Sequence, residues 1–99
     1  VALCVSPIVL GKAFEGSAIH ASMTIGSKHA ASPYEIAGFE AGLQQTGAET
    51  ADCSLGSVHI DQENKLITAP CYMMEARISE IHANIQAAFQ ALKSMLDAE

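Results

Sequence analysis

Positive charge is scarce in this chain: five lysines and arginines stand against eleven aspartates and glutamates, for a formal net charge of −6. Adhesion to a nucleic-acid backbone or an anionic membrane needs a cationic face, so neither partner fits this balance. No apolar run approaches the length of a membrane span, no signal peptide is visible, and tryptophan is missing altogether. The cysteines, Cys4, Cys53 and Cys71, are odd in number, far apart and without a C-x-x-C pair. That pattern favours free thiols in a reducing compartment over a disulfide framework or a zinc site. His20, His29, His59 and His82 show no ligand spacing either, so a metal site is not expected from the residues. With 49% hydrophobic residues and few charges, the composition is that of a globular domain, expected in the cytoplasm, or in the mitochondrion of a eukaryote.

The chemistry is concentrated at the start. Val1-Ala2-Leu3 is an apolar run into Cys4, and Ser6-Pro7 follows after one residue. Serine is a favoured helix N-cap and proline fits the first helical position, where its missing N–H would be unpaired anyway. The stretch therefore reads strand, cysteine, helix start. A thiol at such a junction lies near the free N–H groups and positive dipole end of the helix, which stabilise a thiolate. Free cysteine is also among the most frequently buried residue types, and packing alone would account for Cys4 equally simply.

In chain order, Pro7 to Glu15 reads as a helix stopped by Gly16, with Gly11 in its middle explained by close packing on a sheet. His20 to Ile25 is β-leaning, and Gly26 to Ala31 is a polar loop. Ser32-Pro33-Tyr34-Glu35 predicts a helix start, with Ser32 as cap, Pro33 first and Glu35 closing a capping box. Ile36, Phe39 and Leu43 continue that helix as a core stripe to Gly47. Ala48 to Cys53 is a strand, weakened by its polar content. Ser57 to Ala69 predicts a β-hairpin around a solvated turn, Asp61-Gln62-Glu63-Asn64. From Glu75 to Leu96, the residues Ile78, Ile81, Ile85, Ala88, Phe89, Leu92, Met95 and Leu96 recur every three or four positions, the mark of a long helix packed on a sheet. Alternating strands and helices make this an α/β chain. In such sheets sites form beyond the C-terminal strand ends, where Cys4 falls.

Two stretches carry a family resemblance. Cys4-Val5-Ser6-Pro7 after a strand resembles the nucleophile elbow of the PfpI-type, class I glutamine amidotransferase-like superfamily, and more narrowly its ElbB branch, whose elbow runs Cys-Ile-Ala-Pro. Ile60 to Met73 is similar to that branch's hairpin and its Thr-Thr-Pro-Ala-Tyr-Met strand end, with Ala69 replacing the second Thr and Cys71 replacing Ala. The resemblance implies a flavodoxin-like three-layer sandwich with a mainly parallel sheet, commonly homodimeric. The family domain is roughly twice this length, a usual size for one domain, so residues 1–99 are expected to form its C-terminal half and to require the N-terminal half as partner.

The resemblance also implies a reaction. Cys4 would add as a thiolate to a small reactive carbonyl, the Val5 backbone N–H would hold the developing oxyanion, and a 2-oxoaldehyde would become a hydroxy acid without glutathione, metal or cofactor. The carboxylate that moves the proton belongs to the other half, so these residues alone are not expected to turn over substrate. Ser6, Pro7, His29, Pro70 and Tyr72 are the expected pocket residues, although Tyr72 fits equally well packed in the core with its hydroxyl satisfied. Some relatives carry histidine directly after the cysteine; Val5 stands there here, which disfavours a Cys-His pairing of that kind. Two other readings of the same residues are a non-catalytic thiol redox sensor at Cys4 and a ligand-binding or structural role in an assembly.

Overall fold

In the computed structural model, residues 1–29, 32 and 34–97 are described. Strand β1 (Ala2–Leu3) leads through the Cys4 turn to helix α1 (Pro7–Phe14). Then come β2 (Ser22–Met23), α2 (Ile36–Gln45), β3 (Glu49–Thr50), the hairpin β4 (His59–Asp61) and β5 (Leu66–Ala69), a 3₁₀ turn at Cys71–Met73, and α3 (Ile78–Asp97). The chain is mixed α/β, as its alternating pattern predicts.

The strands form two short ladders. β5 is central to one, parallel to β1 with Leu3 opposite Ala69, and antiparallel to β4 with Ile60 opposite Ile67. β2 and β3 form the other, in parallel. Its pairing runs past the strand limits, with the Cys53 N–H donating to Gly26 O at 3.2 Å. Side chains bridge the two ladders where backbone bonds do not. The Thr24 N–H donates to Thr68 Oγ1 at 3.0 Å and the Ser22 N–H to Asp61 Oδ2 at 2.7 Å.

Strand alternation sets the layers, because successive side chains of β5 point to opposite faces. Ile67 and Ala69 join Cys71, Ile81 and Ala88 in a cluster under α3, while Leu66 packs on the other side against Ala21, Met23 and Leu43, beneath α1 and α2. A third cluster of Ile36, Met73 and Met74 lies where α2 begins.

Several local expectations are corrected. α2 starts at Ile36 with Glu35 in the cap position, and no side chain caps it. Ser32 instead donates its hydroxyl to Met73 O and accepts the Tyr34 N–H, tying the loop to the far end of the chain. The expected role of Pro33 lies outside the described residues. α3 starts at Ile78 because Glu80 reaches back to the Arg77 N–H at 2.9 Å, half of a capping box. Its buried face is Ile81, Asn84 and Ala88 with Ile85, Leu92 and Met95 beside it, whereas Ile78, Phe89 and Leu96 are exposed. Gly11 packs on α2 and not on the sheet: a Cβ there would lie 2.5 Å from Leu43 Cδ1 and 2.8 Å from Thr46 Oγ1.

Asp61 is not part of a solvated turn. It is 8% exposed and accepts from the Ser22 N–H, the Asn64 N–H and Asn64 Nδ2. Burial works to raise its pKa, but the hydrogen bonds from Asn64, Ser22 and Glu63 together outweigh it and hold the carboxyl below its ordinary range. A depressed folded-state value contributes stability above the unfolded pKa, about 3.9, that disappears as pH falls through the folded value. Asp61→Ala strands those donors and is expected to lower unfolding free energy at pH 7 by about 2–3 kcal/mol in urea titrations, with the deficit shrinking in acid; an unchanged midpoint would show that the bridge carries no stability.

Candidate functional site

The site is built on a backbone constraint. β1 ends at Leu3, and Cys4 takes φ +61°, in the left-handed region that residues with a Cβ rarely adopt. Such strain persists only when its surroundings impose it. Here the Cys4 N–H is held by Ala69 O at 3.0 Å, and the Ser6 N–H turns back to Leu3 O at 3.0 Å. The chain thus reverses from strand to helix within Cys4–Ser6, leaving the cysteine at the C-terminal strand end, half-buried and adjoining two apolar clusters.

Pro7 occupies the first turn of α1 and is buried. Ser6 holds the cap position by backbone alone: its φ and ψ are already helical and its side chain makes no cap hydrogen bond, which corrects the expected capping role. The Ile8 N–H is taken up by Val5 O at 3.1 Å and the Val9 N–H by Ser6 O at 2.9 Å, while the Val5 N–H is used by none of these turn bonds.

The remaining candidates spread outward from this point. Pro70 is fully buried at the head of the 3₁₀ turn, and Tyr72 within that turn is 54% exposed and so is not a core residue. His29 is exposed, with Nε2 3.5 Å from Asp52 Oδ2. A cavity of about 210 Å³ opens between the loop after β2 and the start of α2, lined by Ser27, Lys28, Ser32, Tyr34, Glu35 and Ile36 among others. Cys4 is not among the residues that line it, although it packs against the cluster that contains Ile36. The Ser27 N–H also reaches Met74 Sδ, in the same cluster, at 3.5 Å. None of Cys4, Val5, Ser6, Pro7, His29, Pro70 and Tyr72 lines that cavity. Among the described residues, no group of three or more His, Cys, Asp or Glu side chains is placed to hold a metal ion. No described helix is long and apolar enough to cross a membrane.

Three residues near the site escaped the sequence reading. Asn84, fully buried on α3, accepts the Cys71 N–H on Oδ1 at 2.9 Å and donates from Nδ2 to Ser57 O at 2.9 Å, fixing the turn that faces Cys4. Its signal was a polar residue in register with Ile81 and Ala88. Cys71 is 1% exposed, with φ +47°, and burial first of all raises its pKa, with Cys4 as the next influence. Glu40 occupies the same helical stripe as Ile36 and Leu43, and its Oε1 lies buried without a hydrogen-bond partner among the described residues. Burial, and then Asp52 beside it, push the Glu40 carboxyl above its usual range, against the opposing pull of Lys28 and Thr50.

With this geometry in view, solved structures give a counterpart. The chain superposes with a TM-score of 0.77 on the crystal structure of an isoprenoid biosynthesis protein with amidotransferase-like domain from Ehrlichia chaffeensis, covering 95% of this chain and 39% of that one at 18% identity. The fold is amidotransferase-like. In sequence, the chain is 27% identical over 85 residues to the mitochondrial ES1 protein homolog of Rattus norvegicus. It is equally similar to the mitochondrial glutamine amidotransferase-like class 1 domain-containing protein 3 of Homo sapiens. Each match takes in 85% of this chain and 30% of the relative, so the chain spans about a third of their length. No protein-family model matches the chain. The amidotransferase-like fold thus agrees with the resemblance carried by the Cys4 elbow and the Ile60–Met73 hairpin.

Glu40 yields a pH test. A raised folded-state pKa makes the ionised form costly in the folded protein, so its contribution to stability improves as pH falls through that raised value toward the ordinary 4.5. Glu40→Gln is expected to raise the urea midpoint at pH 8 and to leave little difference from the parent near pH 5; equal midpoints at both values would show that the buried carboxyl is not a liability.

Proposed function

We propose that Cys4 is the nucleophile of a site for small reactive carbonyl compounds, and that these 99 residues supply the elbow part of a larger domain. The observation that carries this reading is the backbone at Cys4: a half-buried thiol held at a left-handed φ between a strand end and the first turn of a helix. Packing alone gives no reason for a cysteine to occupy a strained position at the edge of the core.

The chemistry follows glyoxalase-type logic. The Cys4 thiolate attacks the aldehyde carbon of a 2-oxoaldehyde such as methylglyoxal, forming a C–S bond and a hemithioacetal oxyanion. The uncommitted Val5 N–H is the nearest backbone donor in sequence for that oxygen. A carboxylate then carries the proton from the former aldehyde carbon to its neighbour, converting the adduct to a thioester of the 2-hydroxy acid. Water cleaves the C–S bond and returns the thiol. In the superfamily that carboxylate comes from a strand outside these residues, so turnover belongs to the complete protein. The mitochondrial designation of the two relatives supports the mitochondrion over the cytoplasm as the compartment if this protein is eukaryotic.

A thiol redox reading of the same residue is favoured by one observation, a second cysteine packed into the cluster against which Cys4 lies. The two readings separate on turnover. Consumption of methylglyoxal by the complete protein, followed as hydroxy-acid formation, is expected to fall by about a thousandfold or more in Cys4→Ser. Turnover that survives this change, or none in the parent protein, would remove the carbonyl reading.

A further inference from the structure

The reading of Cys4 as a nucleophile leaves Cys71 unexplained. Cys71 sits two residues past Ala69, the residue opposite Leu3 in the β1–β5 ladder, at the strand end from which Cys4 also projects. The Cys4 N–H is bonded to Ala69 O, and Cys4 packs against the cluster that contains Cys71. The two thiols differ in access: Cys4 is half-exposed, whereas Cys71 is 1% exposed. The Cys71 backbone is pinned by Asn84 Oδ1, which fixes where its side chain originates. Cys53 belongs elsewhere, on the extension of β3, with its thiol turned to Ser54 O.

We propose that Cys4 and Cys71 form a two-thiol site for hydroperoxides, in which Cys4 is oxidised first and Cys71 resolves it as an intramolecular disulfide. This rests on the nucleophilic reading of Cys4 and adds a substrate class and a second residue to it. In the first step, the Cys4 thiolate attacks the distal peroxide oxygen; an S–O bond forms, the O–O bond breaks, and the departing alkoxide or hydroxide takes up a proton. The sulfur, now sulfenic acid, has lost two electrons to the peroxide. In the second step the Cys71 sulfur attacks the Cys4 sulfur, the S–O bond breaks, and the leaving oxygen departs as water with the Cys71 proton. The sum is two thiols and one hydroperoxide giving one disulfide, one alcohol or water, and one water. A buried resolving thiol is shielded from the peroxide itself, so oxidation proceeds in that order only. Since Cys71 replaces an alanine in the branch that this chain resembles, the second thiol is a feature of this sequence and not of the elbow in general.

The test uses the complete purified protein, treated with one equivalent of hydrogen peroxide, denatured in N-ethylmaleimide and measured by intact mass and peptide mapping. The expected product has lost two hydrogens, carries a Cys4–Cys71 linked peptide that dithiothreitol reverses, and leaves Cys53 alkylated. In Cys71→Ala and Cys71→Ser treated with two or more equivalents, the second peroxide oxidising the unresolved sulfenic acid, Cys4 sulfinic acid is expected to rise about tenfold or more over the parent, while the rate of Cys4 alkylation in unoxidised protein stays within about twofold. Rapid alkylation of Cys4 with Cys71 remaining reduced after peroxide, or a disulfide that uses Cys53, overturns the two-thiol site and leaves the nucleophile standing. Alkylation of Cys4 no faster than that of Cys53 overturns both.

Discussion

The pairing of β1 with β5 is the constraint on which the rest of the site depends. β1 is only two residues long, so it has no stability of its own and is a strand because β5 supplies its partners. That pairing delivers the Cys4 N–H to Ala69 O and obliges the chain to turn at once into α1. The left-handed backbone at Cys4 is the cost of the reversal, offset by apolar contacts on both sides of β5. Both faces of β5 are covered, by α3 beneath Ile67 and Ala69 and by β2 with α1 and α2 around Leu66 and Thr68. A strand buried in this way is a rigid platform for the turn that it holds.

Polar side chains do much of the joining that backbone bonds do in a continuous sheet. Thr68, Asp61 and Asn84 each reach from one element to the backbone of another, and all three are buried. A buried hydrogen bond adds a modest amount when made and costs more when left unmade, so such groups define position more than they add stability. Glu40 is the contrary case, a buried carboxyl with one oxygen unpartnered among the described residues, next to Asp52 and on the side of α2 that faces β3.

What the elements contribute to chemistry is uneven. α1 begins directly after the Cys4 turn, and the N–H groups of Ile8, Val9 and Leu10 already bond to Val5 O and Ser6 O. α2 and the loop before it form the cavity, and α3 serves the site indirectly through Asn84. The amidotransferase-like fold therefore presents its cysteine from one local turn, while the cavity is lined by a different part of the chain.

The sequence by itself determined the order of elements, the hairpin, the α/β class and the elbow at Cys4-Val5-Ser6-Pro7, because these depend on local signals: apolar periodicity, proline at a helix start, glycine at its end. Ser32 shows where local signals fail. It has every feature of a helix cap, yet its hydroxyl is drawn to Met73 O, a partner 41 residues away that no window of sequence reveals. Asp61 reads as a solvated turn residue until β2 is laid against it, and Phe89 belongs to the apolar stripe of α3 until the width of β5 leaves it outside. That Cys4 packs against the cluster that contains Cys71 was likewise decided by the tertiary structure alone, since 66 residues separate the two in sequence. Local propensity chooses conformations for short segments; which side chains meet is chosen by packing, and packing is a property of the whole chain.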